Sequence, residues 1–408
     1  MTIERDGEPV ARIHDDAAAI ATELAELRRS IHAEPEIGLD LPRTQRKVLD
    51  ALAGLPLEIS TGKDLTSVTA VLRGGRPGKT VLLRGDMDAL PVTERTGLPY
   101  ASKVEGAMHA CGHDLHTAML AGAAQLLSAR QAELAGNVIF MFQPGEEGPG
   151  GARIMVGEGV LDAAGERPVA AYALHVISSL LPLGMLGGRV GPIMAAADTL
   201  HVTVHGRGGH GSQPHSAADP VPAACEIVLA LQTMVTRRFD IFDPVVITVG
   251  TLHAGVADNV ISDDAHFVAT VRTFSAQARD RVAQEAPKLA RDIASAHGMT
   301  ATAEFVPGYP VTVNNAAETE FVQQTISEVL GEGKYIPAPN PVTGSEDFSY
   351  VLDEVPGSFV FLGACPPDVD PGTAPFNHSA HAVFDDAVLP DGTALYAELA
   401  LRRLADAS

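Results

Sequence analysis

Cys111 and His113 lie two residues apart in MHACGHDLHTA (108–118), at what reads as a strand-to-helix junction. A thiolate and an imidazole that close together suit a borderline-soft metal such as zinc. The same string also reads as a plain helix start, with Asp114 as the cap and a buried cysteine beside it. In FQPGEEGPGG (142–151), Glu146 and Glu147 are adjacent in a Gly/Pro loop directly after the apolar run NVIFMFQ. Adjacent carboxylates in a loop are ordinarily a solvated turn. At the rim of a buried sheet, one of them can bind metal while the other acts as general base on water. His175 in YALHV (172–176) and His378 in FNHSAH (376–381), each taken singly, read as structural histidines, and so do His109, His116 and His381.

The set carries more than its members. Cys111, His113, Glu147, His175 and His378 all fall at loop positions flanking apolar runs. Five protein ligands exceed the three that usually hold one catalytic zinc. They suit two metals roughly 3.5–4 Å apart, bridged by one ligand and a water. A metal-free alternative makes Cys111 a nucleophile with His113 or His116 as its base. The short spacing does not favour it, because nucleophile and base usually approach from separate elements.

The elements that must position these residues alternate between strand and helix. TVLLRGDMD (80–88) and NVIFMFQPGEE (137–147) read as buried strands, with an Ala/Leu-rich helix over 113–129 between them. An amphipathic helix over 14–31, a helix at 316–331, a strand at 358–364 and a helix after Pro390 complete the pattern. It implies βαβ units and a mostly parallel, doubly wound α/β sheet, whose ligands bind at the carboxyl ends of the strands. Near residue 195 the pattern changes. TLHVTVHG (199–206) alternates cleanly, Asp219 caps a helix to about Arg238, strands follow near 245–252 and 265–274, then a helix over 276–297 and a strand near 301–306. That order is a ferredoxin-like βαββαβ, an antiparallel sheet with two helices on one face. The expected division is a catalytic domain of residues 1–194 and 306–408 with a smaller α+β domain, 195–305, inserted into it.

Bulk composition bounds the function class. The 408 residues carry 51 acids against 29 Lys and Arg, a net charge of −22, which excludes a broad electrostatic footprint for nucleic acid or anionic lipid. Three cysteines are too few for a disulfide framework. The polar, acidic start shows no secretory h-region, and no stretch approaches the roughly 18 apolar residues of a membrane helix. A cytoplasmic location is therefore expected.

Taken in order, LRRSIHAEPEIG (27–38), RGDMDALPV (84–92), HACGHDLHTA (109–118), FQPGEEGPGGARIM (142–155), ALHV (173–176), GRGGHGSQPH (206–215), ADNVI (257–261), GSEDF (344–348) and NHSAH (377–381) resemble the M20 metallopeptidases. The resemblance is to the subgroup of N-acyl amino acid amidohydrolases, which includes hippurate hydrolases and plant auxin-conjugate hydrolases. It spans nearly the whole chain, and the ordered set is far more specific than any piece.

The resemblance implies two divalent ions per subunit, zinc or manganese, with Cys111 bridging and His113, Glu147, His175 and His378 completing the ligand set. It makes Glu146 the general base and His210 a donor to the carbonyl oxyanion, often supplied by the partner of a homodimer formed through the inserted domain. Asn259 and Arg272 would hold a substrate carboxylate; a solvated edge arginine is the plain alternative for the latter. Asp86 stands where more distant relatives have a histidine, so Asp86 and Asp88 are read as carboxylates that orient ligands. Ser262 stands where many relatives have proline, a local loop difference. The implied reaction is hydrolysis of the amide bond of small N-acylated amino acids. An aminopeptidase acting on short peptides, and a catalytically silent binding protein on the same fold, are the competing expectations.

Overall fold

The computed structural model describes residues 13–406, and they divide into two compact units. The first comprises the described chain up to Gly191, Val313–Pro339, and the chain from Tyr350 on. Its eight-stranded sheet has the order Leu57–Thr61, Val68–Arg73, Ala135–Gln143, Arg76–Asp86, Ala170–Ile177, Gly357–Gly363, Leu186–Gly188, Tyr335–Pro337. The four strands from Ala135–Gln143 to Gly357–Gly363 run parallel, as the apolar runs imply. Leu57–Thr61 and Val68–Arg73 join antiparallel at one edge, and Leu186–Gly188 pairs antiparallel with Gly357–Gly363 toward the other.

The core strands are buried on both faces. Val138, Phe140 and Phe142 join one cluster with Val81, Leu83, Tyr172 and Leu174, while the intervening Ile139, Met141, Leu82 and Ala173 are equally buried. Each buried Phe is worth roughly 1.5–3 kcal/mol of transfer free energy. Helix His113–Ala129 is buried around most of its circumference, which its run of Ala, Gly, Leu and Met permits. It packs against Ala21–His32, Leu389–Asp406 and the sheet. The opening amphipathic segment is two helices, Ile13–Ala19 and Ala21–His32, broken at Ile20. Among the described residues no helix is long and apolar enough to cross a membrane.

The second unit is Pro192–Thr312 with Asn340–Ser349. Its four-stranded sheet is antiparallel throughout, in the order Val245–Ala254, Asp264–Thr273, Ala196–His205, Thr300–Tyr309. Leu200, Val202, Val204, Phe267 and Val271 face the helices Pro220–Arg238 and Ala276–Ala296, meeting Ala223, Ile227, Leu231, Val282 and Ala290 in one core. The alternate residues His201, His205, His266 and Thr270 are exposed. Pro220 sits at the first turn of its helix, and the Asp219 carboxylate accepts the Val221 amide at 3.0 Å, the N-cap its residue type foretells. Stretch 340–349 belongs to this unit, and nothing in its pattern detaches it from the flanking sequence.

Candidate metal centre

The carboxyl ends of the parallel strands carry the candidate ligands of the first unit. Ala135–Gln143 ends three residues before Glu146, and His175 lies within Ala170–Ile177 near its end. Cys111 precedes helix His113–Ala129, separated from His113 by Gly112. Gly112 has φ +82°, and a Cβ there would come within 2.3 Å of Val176 Cγ2. Only glycine therefore allows the thiol and the imidazole to sit on either side of this turn. Asp114 does not cap the helix. It is buried, 2.7 Å from both Arg28 Nε and His32 Nδ1, and so ties the first helical turn to helix Ala21–His32.

Donor atoms of Cys111, His113 and His175 lie within 4.8 Å of one another, and those of Cys111, Glu147 and His378 do the same. Cys111 is common to both groups. Its Sγ is 3.4 Å from His175 Nε2, and His378 Nε2 is 3.0 Å from Glu147 Oε1. All five ligands foreseen in the sequence are thus brought together. Glu146, buried, belongs with His113 and Glu147 to a third such group.

The supporting hydrogen bonds fix orientation. His175 Nδ1 donates to the Val176 carbonyl at 2.8 Å, which leaves the Nε2 lone pair facing the thiol. The Val176 amide donates to His116 Nε2 at 2.7 Å, so His116 carries its proton on Nδ1 and donates it to Asp86 at 2.5 Å. Both His116 nitrogens are thereby used, and it supports the cluster without a lone pair to offer. Asp86 is ion-paired at 2.6 Å with the equally buried Arg84, which also donates to Gln143. Asp88 accepts the backbone amides of both Glu146 and Glu147, each at 3.0 Å, and so clamps the turn that aims the two carboxylates. His113 lies between the two aspartates, Nδ1 3.4 Å from Asp88 and Nε2 3.6 Å from Asp86, and neither nitrogen makes a well-formed hydrogen bond.

Asn377 is a member of the cluster that residue-type reasoning passed over. Its Nδ2 donates to the Val176 carbonyl at 3.0 Å and lies 3.7 Å from Cys111 Sγ, and its Oδ1 accepts the Ser178 amide at 3.0 Å. It braces the loops bearing Cys111, His175 and His378. His378 has φ +74°, a left-handed conformation unusual for a non-glycine residue, and its amide donates to the Ala110 carbonyl at 2.8 Å.

Electrostatics follow burial and charge. Burial pushes the Cys111 thiol up to about 12, and Glu147 adds to the effect. Such a thiol is inert as a free nucleophile at neutral pH, whereas a thiol that ligates a cation is deprotonated outright. Burial opposes charge on His113, but Asp86, Asp88 and Cys111 together outweigh it and raise its pKa well above the ordinary value. Burial and His116 push His175 well below that value. Burial also opposes charge on Glu147, yet His378 and His113 bring its pKa below the ordinary carboxylate value. A buried thiol, a carboxylate and three imidazoles, two groups sharing one sulfur, and an imidazole with both nitrogens unsatisfied fit a pair of cations better than any hydrogen-bonded alternative.

The second unit carries the other foreseen residues. His210 lies in a short strand, Gly209–His210, paired with Val260–Ile261, and the Gly211 amide donates to the Asn259 carbonyl at 2.8 Å. The Ser212 amide donates to His210 Nδ1 at 3.2 Å, which puts the imidazole proton on the exposed Nε2 side. Arg272 is half-buried on strand Asp264–Thr273, and its buried Nη1 has no hydrogen-bond partner. Burial lowers its pKa from the ordinary guanidinium value, against the pull of Asp198.

Comparison with known proteins places this geometry. Residues 82–402 match the model for Peptidase family M20/M25/M40. The chain is 38% identical to thermostable carboxypeptidase 1 of Saccharolobus solfataricus, over 96% of this chain and 98% of that protein. It is 36% identical to an N-acetylcysteine deacetylase of Bacillus subtilis, over 94% and 97%. It is 38% identical to IAA-amino acid hydrolase ILR1-like 5 of Arabidopsis thaliana, over 94% and 87%. Its fold superposes, with a TM-score of 0.82, 33% identity and coverage of 95% and 99%, on the Bacillus subtilis YXEP protein, described as a dinuclear metal binding peptidase from the M20 family. This chain therefore belongs to Peptidase family M20/M25/M40 and is a hydrolytic enzyme.

Proposed function

We propose that the enzyme hydrolyses the amide bond of small N-acylated amino acids at a two-metal centre, with Cys111 shared between the metals and His113, Glu147, His175 and His378 as the remaining ligands. The observation that carries this reading is the pair of donor groups that meet at one buried sulfur, with a buried carboxylate, Glu146, beside them. Two divalent cations held there, zinc or manganese, would supply Lewis acidity toward a carbonyl oxygen and toward water. Glu146 takes the proton of the attacking water and passes it to the leaving amine, its carboxylate aimed by the Asp88 clamp on its own backbone. His210 donates from Nε2 to the developing oxyanion, and Arg272 with Asn259 receives the substrate carboxylate. The unpartnered Nη1 of Arg272 supports that role.

The relatives' names support the bond chosen. A deacetylase of N-acetylcysteine and a hydrolase of IAA-amino acids cut an amide on the nitrogen of an amino acid, and a carboxypeptidase cuts the equivalent bond at a peptide's carboxyl end. Each calls for recognition of a carboxylate, which an arginine provides, rather than the free amine that an aminopeptidase reads. We further propose a cytoplasmic homodimer associated through the inserted domain 195–305, with His210 acting toward the partner's substrate.

The test is hydrolysis of N-acetyl, N-benzoyl and indoleacetyl amino acids by protein of measured metal content, with and without a chelator. Cleavage that the chelator abolishes and added metal restores is expected. No cleavage across the panel, or cleavage indifferent to chelation, contradicts the proposal.

A further inference from the structure

We propose that Leu180 and Phe376 form an apolar wall at the mouth of the metal centre that receives the acyl group, so that the enzyme favours aromatic or branched acyl groups over acetyl. This deepens the reading above and rests on it. The strand carrying His175 runs out into Ser178, Ser179 and Leu180. There the Leu181 amide donates to the Ser179 carbonyl at 2.7 Å and closes a three-residue turn around Leu180, whose φ is +65°. A γ-turn with positive φ at its centre is rare and strained, the more so for a bulky residue. Such strain persists only where the surroundings over-determine it, and it clusters at functional sites.

The surroundings do over-determine it. The Leu180 amide donates to the Pro371 carbonyl at 2.8 Å, the Ser178 amide donates to Asn377 Oδ1 at 3.0 Å, and Ser178 Oγ is 2.8 Å from the Pro375 carbonyl. The turn is thus laced to the segment that ends at His378, the other non-glycine residue with positive φ among those described. Yet what the strain holds in place is exposed: Leu180 is 67% accessible, and Phe376, between two of the lacing residues, is 48% accessible. A turn built only for the fold would take glycine, which makes this conformation at no steric cost. Leucine here gains little from burial, and its apolar surface is open to an occupant. No charged residue lies within 178–182 or 374–377, and in the reading above the substrate's carboxylate goes to Arg272 and Asn259. The acyl group is the part of the substrate left to occupy it.

The experiment compares kcat/KM for the N-benzoyl and N-acetyl derivatives of one amino acid in the wild type, Leu180→Gly, Leu180→Ser and Phe376→Ser. The benzoyl-to-acetyl ratio is expected to fall by about 10-fold or more in the variants, the discrimination that a few apolar contacts provide. Leu180→Gly should unfold no earlier than the wild type on heating, which separates lost recognition from lost folding. Variants in which both substrates change by the same factor overturn the acyl wall while leaving the hydrolytic reading intact. A wild type that cleaves neither substrate overturns both.

Discussion

The candidate ligands of the first unit and the candidate substrate residues of the second are held in opposite ways. Around Cys111 nearly every orienting group is committed: Asp88 to two backbone amides, His116 by both nitrogens, His175 to a carbonyl, Asn377 to three loops. His210 sits on a two-stranded ribbon and is exposed, Asn259 is exposed in the turn before that ribbon's second strand, and Arg272 keeps a buried donor without a partner. A centre that must hold cations is pre-assembled, since its ligands would otherwise repel or drift. Groups that meet a passing substrate keep their donors uncommitted until it arrives. The comparison separates two kinds of defect: substitutions in the first unit should alter metal retention or proton transfer, and those in the second should alter direct contacts to the substrate, in its ground state or its transition state.

The largest effect should come from Glu146→Gln, which keeps the shape and removes the base. A fall in kcat of about 10²–10⁴ is expected with metal content unchanged, measured by steady-state kinetics on metal-quantified protein. Next comes His210→Ala, with a loss of about 10²–10³ in kcat. A change confined to KM would sharpen the contrast by reducing the second unit to a binding role. Asp88→Asn leaves one acceptor oxygen where two amides need to be received, so Glu146 and Glu147 lose their common anchor. A drop of about 10–100-fold in metal affinity or activity is expected, read by chelator competition.

Arg272→Ala is expected to raise KM by about 10-fold or more with kcat little altered, because a carboxylate contact is made equally in the ground and transition states. Equal losses in kcat and kcat/KM would instead bring Arg272 into the chemistry and blur the distinction between the units. Smallest is Asp219→Ala, which removes the N-cap of helix Pro220–Arg238. It should destabilise the protein by about 1 kcal/mol in thermal or denaturant unfolding and leave KM and kcat unchanged.

What the sequence made legible follows the physics of each signal. Helix 113–129 was readable because its Ala/Leu run is a local property, but its entry was not: a turn at 110–111 precedes it instead of the expected strand, and Asp114 is not its cap. The Asp219 cap and the alternating strand at 196–205 were readable because they too are local. The five candidate ligands were readable because Cys, His and Glu beside apolar runs are chemically conspicuous. The break at Ile20 and the antiparallel edge strands Leu57–Thr61 and Val68–Arg73 were not, since short edges are decided by their tertiary neighbours. Asn377 lies inside NHSAH (377–381), and its residue type gives no sign of its role. An asparagine has many ordinary surface roles, and nothing in the periodicity reveals that this one reaches Val176, Ser178 and Cys111 at once. The Asp88 clamp escaped for the same reason, because a carboxylate that binds backbone amides leaves no trace in its partners' side chains.

Whether one sulfur serves two cations is read by X-ray absorption at the metal edge on fully loaded protein. Two metals per chain are expected, with a sulfur scatterer at about 2.3 Å if the metal is zinc, lost in Cys111→Ser. Two metals per chain with only nitrogen and oxygen around them, or a sulfur signal that survives Cys111→Ser, would contradict the shared sulfur.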